Sequence, residues 1–75
     1  MLTDVELTAL RIEGQRWKNG GARITAIREE CGWSEVRQAQ VVAALIRRPD
    51  AMAAEPVLCR RLQRLEDQRR AARSA

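Results

Sequence analysis

The side chains of this chain that are able to do chemistry are carboxylates, arginines, the single Lys18, two cysteines, and scattered hydroxyls and carboxamides. His, Tyr and Phe are absent, which removes the commonest general base, the commonest metal ligand and a phenolic acid. Cys31 and Cys59 form no CxxC pair and have no His to complete a zinc site. Glu29 and Glu30 are adjacent, so on a helix they point about 100° apart, a poor geometry for paired acid and base work. The expectation is a protein that is not an enzyme, with no catalytic residue, metal site, cofactor or small-molecule substrate.

What remains is recognition. A guanidinium at Arg37 can grip O6 and N7 of guanine, and a carboxamide at Gln40 can grip N6 and N7 of adenine, each worth about 1–3 kcal/mol of discrimination. Three residues apart, the two share one helix face. Ser34 is placed to donate to a phosphate beside the free N–H groups of a helix start, although capping alone also explains it. Lys18, Arg23, Arg47, Arg48, Arg60, Arg61 and Arg64 are candidate phosphate contacts, set against the plainer reading of solvated surface charge. Trp17 and Trp33 read as core anchors at helix junctions, with base stacking as the alternative.

These residues must be positioned by very little protein. At 75 residues, a chain buries only about 60% of its unfolded surface, and pockets of roughly 300 Å³ or more are hard to wall at that size. Lys plus Arg number 14 and Asp plus Glu 10, for a net charge of +4. Residues 1–34 are balanced, and the whole excess falls in residues 35–75. A basic balance of this kind fits a polyanion partner, and equally serves solubility. The N-terminus carries acids where a signal peptide carries cations, and no apolar run approaches the roughly 20 residues that span a bilayer. A cytoplasmic protein without a membrane segment is expected. Both cysteines then read as small buried hydrophobes in a reduced compartment, with a disulfide as the alternative.

Four helical segments follow from the pattern. Thr3 and Glu6 form a capping-box pair that starts the first. It carries Val5, Leu7, Leu10 and Trp17 as apolar contacts and tolerates Gly14 at a cost of about 1 kcal/mol relative to Ala. Asn19-Gly20-Gly21 is expected to stop it. A second helix runs from Ala22 to Cys31 with Ile24, Ile27 and Cys31 on one face, and Gly32 ends it. Trp33 fills the corner, and Ser34 caps a third helix that reaches Arg48 before Pro49 forbids continuation. A connection of about three residues containing Gly is a signature of the helix-turn-helix unit, and plain helical hairpins share it. On the third helix Val41, Val42, Leu45 and Ile46 gather on one side with Gln38 in their midst. The other side presents Val36, Arg37, Gln40, Ala43, Ala44 and Arg47, free of acids. Asp50 caps a short turn over Ala51 to Ala54, and Glu55-Pro56 opens a basic last helix. Its leucines at 58, 62 and 65 either dock on the core or pair with a second copy.

The residues Trp17, Lys18, Gly21, Ala22, Arg23, then Ala26, Ile27, Arg28, Glu29, then Gly32, Ser34, Ala44, Leu45, Pro49, Pro56, Arg60, Arg61 and Leu62 resemble, in order and spacing, a family of short actinobacterial and actinophage proteins catalogued as a domain of unknown function. The resemblance covers Ile12 to Leu62 and implies a helix-turn-helix core, DNA binding, and a bacterial or phage origin. Three positions depart from the family: Gln38-Ala39 stand where adjacent tyrosines are common, and Arg16 stands where a second Trp is expected. Gln38 must therefore find buried partners, at about 1–3 kcal/mol if it does not, or the third helix is rotated and its exposed face misread.

Together these readings give an all-α domain over residues 1–75 with three to four helices. It contains a helix-turn-helix unit at about 22–48 and a basic C-terminal helix at about 56–72. The expected function is that of a small regulator of transcription that binds double-stranded DNA. The alternative is a protein-interaction module docking through Val36, Ala43 and Ala44. A homodimer through Leu58, Leu62 and Leu65 is compatible with either.

Overall fold

The computed structural model describes residues 1–74, and among them five helices and no strand are found. Helix α1 spans Asp4–Gly14. The Thr3 hydroxyl accepts from the Glu6 N–H at 3.1 Å and the Glu6 carboxylate accepts from the Thr3 N–H at 2.9 Å, so the capping box forms as the pattern required. The helix ends earlier than expected. Gln15 is extended, and the Trp17 indole N–H folds back to donate at 3.0 Å to the Ile12 carbonyl, which also accepts from the Gln15 N–H at 3.3 Å. Trp17 thus lies beyond the helix and packs on Ile12, Ala26 and Ile27.

Asn19-Gly20-Gly21 opens a helix where closure was expected. The Asn19 side chain accepts from the Ala22 N–H at 2.8 Å and caps α2, Gly20–Ala26. The same residue types serve either end of a helix, and a helix already ended at Gly14 leaves Asn19 for the next start. Helix α2 continues as a π-helical segment, Ile27–Cys31, whose wide turn closes when the Gly32 N–H donates to Ile27 O at 3.2 Å and Arg28 O at 3.0 Å. Gly32 has φ +80°, a left-handed conformation that a side chain disfavours.

After Gly32, Trp33 and Ser34, helix α3 spans Glu35–Leu45, with the Ser34 hydroxyl accepting from the Arg37 N–H at 3.1 Å. It stops three residues short of the expected Arg48. The residue before a proline is pushed out of helical conformation, and Arg48, at ψ 136°, becomes the N-cap of α4, Pro49–Ala54. What read as a capped turn is therefore a fifth helix in the count. Helix α5, Pro56–Ser74, completes the chain.

The core has two connected parts. Ala9, Leu10, Val42, Ile46, Ala51 and Cys59 form one, and Ile12, Ala26 and Ile27 the other, with Cys31 and Trp33 packing against both. Cys31 and Cys59 are free thiols, and burial, reinforced by neighbouring carboxylates, pushes both up from the ordinary thiol value. Helix α5 docks on this core through buried Cys59 and the partly buried Leu58 and Leu62. Gly14 makes room for it, since a Cβ there would stand 3.1 Å from Leu58 Cδ2. The leucine stripe considered for pairing two copies is thus occupied by the chain's own core at Leu58 and Leu62, and Leu65 alone of the three is exposed, at 40%.

Candidate nucleic-acid interface

Gln38 decides which face of α3 is presented. It is completely buried and fully partnered: its carbonyl accepts from the Trp33 indole N–H at 2.8 Å, while its amide donates to the Ala9 carbonyl at 2.9 Å and to Glu13 Oε2 at 2.8 Å. Glu13 in turn receives two bonds at 3.0 Å from the Arg23 guanidinium. The polar residue on the apolar side is therefore satisfied in place and Val42, Leu45 and Ile46 turn inward with it, whereas Val41, expected on the same side, is only half-buried and borders a depression with Arg37 and Gln40.

Val36, Arg37, Gln40, Ala43, Ala44 and Arg47 are all exposed. Arg37 and Gln40 make no side-chain hydrogen bond or ion pair among the described residues. Gln40 lines two shallow depressions, one shared with Val36, Ala39 and Arg69 and bordered by Glu13 and Glu35, the other with Arg37, Val41, Ala44 and Arg48 and bordered by Glu6, so it sits at the middle of a face whose own residues include no acid. The Ser34 hydroxyl is engaged as the helix cap.

The candidate phosphate contacts divide sharply. Arg23 bridges Glu13 and Glu35, each at 3.0 Å. Arg47 lies 3.3 Å from Asp67 and 4.0 Å from Glu66 on α5. Arg48 holds Glu6 at 2.8 Å and Asp50 at 2.6 Å, tying the turn after α3 to α1 and α4. The charge of Arg48 is consequently spent between these elements rather than on the α3 terminus. Asp50 is held below the usual carboxylate range by the Arg48 hydrogen bond, with the N-terminal amine and the Ala51 N–H adding to it. Glu6 is held down by its bond from the Thr3 N–H, by the Thr3 hydroxyl and by Arg48. The three arginines tie elements together, and a phosphate would have to compete with their carboxylates.

Lys18 is exposed in the connection between α1 and α2, without an ion-pair partner among the described residues. Arg60 and Arg64 are likewise exposed and unpaired on α5. Arg61 turns toward α1, where it donates to the Glu13 carbonyl at 3.3 Å and lines a groove with Arg11, Gly14 and Leu58. Arg69 and Arg73, which are not among the candidate phosphate contacts named from the sequence, line the cleft between α5 and α3 together with Ala39, Ala43, Leu62 and Leu65. Their spacing from Leu62, seven and eleven residues, is the signal that could have placed them on the stripe facing the core.

Fold and site together define a small all-helical protein in which one helix shows an acid-free, partly cationic face to solvent; no helix among the described residues is long and apolar enough to cross a membrane. Residues 1–74 match the model of a family described as Protein of unknown function (DUF3263), and the chain belongs to that family. The match extends beyond Ile12–Leu62 at both ends and takes in the whole of α5. No curated protein and no solved structure matches the chain.

Proposed function

We propose that the protein is a small cytoplasmic regulator, bacterial or phage as the sequence resemblance implies, that binds double-stranded DNA with α3 in the major groove. In this reading α2 with its π segment, the Gly32–Trp33–Ser34 turn and α3 act as a helix-turn-helix unit. The observation that carries it is the exposed face of α3: Arg37 and Gln40 stand one turn apart with no internal partner to compete for them, and small Ala43 and Ala44 follow along the same face. Arg37 would read guanine and Gln40 adenine, while unpaired cations that flank the α3 face supply phosphate affinity.

The test is site selection from a random duplex pool, with wild type and the Arg37→Ala, Gln40→Ala double variant compared by fluorescence anisotropy. Loss of sequence preference with unchanged thermal stability supports the assignment, and an unchanged preference overturns it. Absence of duplex binding at about 50 mM salt would transfer the same face to a protein partner, for which Val36, 68% exposed beside exposed Ala43 and Ala44, is the supporting feature.

A further inference from the structure

The cations of α5 do not share one side of the helix. Leu65, Glu66, Arg69 and Arg73 line the cleft against Ala39 and Ala43 of α3, and Arg69 also borders the depression that contains Gln40. Arg60 precedes Arg69 by nine residues, and Arg64 precedes Arg73 by nine. At about 100° per residue, nine residues make two and a half turns. Arg60 and Arg64 therefore project from the far side of α5, away from α3.

The acids that border the cleft are engaged by other cations, with Glu13 and Glu35 sharing the single Arg23. Glu13 and Glu35 pair with Arg23, and Glu66 pairs with Arg70 at 2.8 Å and Arg47 at 4.0 Å. Arg69 and Arg73 make no ion pair among the described residues and are exposed. They are unpaired cations standing beside the α3 face that the proposed reading sets in a groove. A helix lying in a major groove has a phosphate strand along each flank, and long cationic side chains on a neighbouring helix are placed to reach one of them.

From this arrangement we infer that Arg69 and Arg73, rather than Arg60 and Arg64, form a backbone clamp that grips one phosphate strand beside α3. The inference rests on the DNA-binding reading above and assigns the source of its phosphate affinity. The α5 helix then has two roles along its length: its first half closes the core through Leu58, Cys59 and Leu62, and its second half carries the clamp.

The experiment is duplex anisotropy over a salt series with three double variants: Arg69→Ala with Arg73→Ala, Arg60→Ala with Arg64→Ala, and Arg69→Lys with Arg73→Lys. Both alanine pairs remove the same net charge, and Ala is favourable in a helix interior, so urea melts should show all three folded. Each phosphate contact contributes about 0.9 to the log–log salt slope. The 69/73 alanine pair should therefore lower the slope magnitude by about 2 and weaken binding at about 100 mM salt on the order of tenfold or more, while the 60/64 pair leaves the slope unchanged and the lysine pair restores it. Equal losses from the two alanine pairs, or a larger loss from 60/64, would overturn the clamp and leave DNA binding standing. Wild-type protein without salt-dependent duplex affinity would overturn both.

Discussion

Gln38 shows how one side chain sets what a helix presents. Its carboxamide satisfies an indole N–H, adds a bond to a backbone carbonyl and meets a carboxylate, all on groups contributed by α1 and the Trp33 turn. A rotation of α3 by one position would break all three bonds together, so the network specifies the rotation as well as stabilising it. Replacing Gln38 with Met keeps the volume and removes the bonds, leaving the partly buried Trp33 N–H without that acceptor. The expected cost is about 1–3 kcal/mol in urea unfolding, and a change below about 0.5 kcal/mol would mean that these bonds contribute nothing net. Arg37 and Gln40 are the opposite case, exposed and without internal partners, and their substitution is expected to move recognition and leave stability alone.

At the scale of elements, the connection from α2 to α3 depends on two unusual backbone features in succession. The π segment widens the end of the second helix, and Gly32 then reverses the chain with positive φ before Ser34 caps α3. A Cβ at Gly32 would meet no heavy atom within 4 Å, so the cost of a substitution there comes from the backbone alone. Gly32→Ala should lose about 1–2 kcal/mol, the penalty of a left-handed conformation for an L-residue, and Gly32→Asn should lose less because Asn visits that region more readily. Thermal melts of the two variants check the order; equal stability of Gly32→Ala and wild type would show that the turn adopts another conformation. Gly14 has a different purpose, as its missing side chain lets Leu58 approach and α5 seat against α1.

Across the whole molecule, the acids are used mainly to join elements, which leaves the net positive charge on the surface. Glu6 and Asp50 meet at Arg48, Glu13 and Glu35 at Arg23, and Glu55 at Arg11. For Glu6 and Asp50 the carboxyl is held below its ordinary value in the fold. Between the unfolded and folded values the unfolded chain binds more protons, so stability rises with pH across that window. Stability from these groups should be fully present above about pH 5 and be lost as pH falls through the ordinary carboxylate range near 4 and below it. Urea midpoints at pH 7, 5, 4 and 3 check this, and Asp50→Asn should flatten the acid limb; an equally steep limb in that variant would show that Asp50 has no part in it.

Local chemistry made much of the fold legible. Thr3 with Glu6, Ser34, Gly32, Pro49 and Pro56 act through hydrogen bonds and dihedral limits within a few residues, and the apolar spacing of α3 reports its buried side without reference to any other element. The exposed positions of Arg37 and Gln40 follow from that spacing. The end of α1 at Gly14, the reuse of Asn19 as a cap and the π turn were not legible, because each depends on where Trp17 and Ile27 find packing partners. Nor does one-dimensional charge distinguish Arg23, Arg47 and Arg48, held by carboxylates from other elements, from Arg69 and Arg73, which face the α3 cleft unpaired. Composition and spacing by themselves determined an all-helical chain and its polar and apolar faces, since these are properties of single helices. Only the tertiary structure decided which cations remain free and which way they point, because ion pairing between distant elements depends on distance through space and not along the chain.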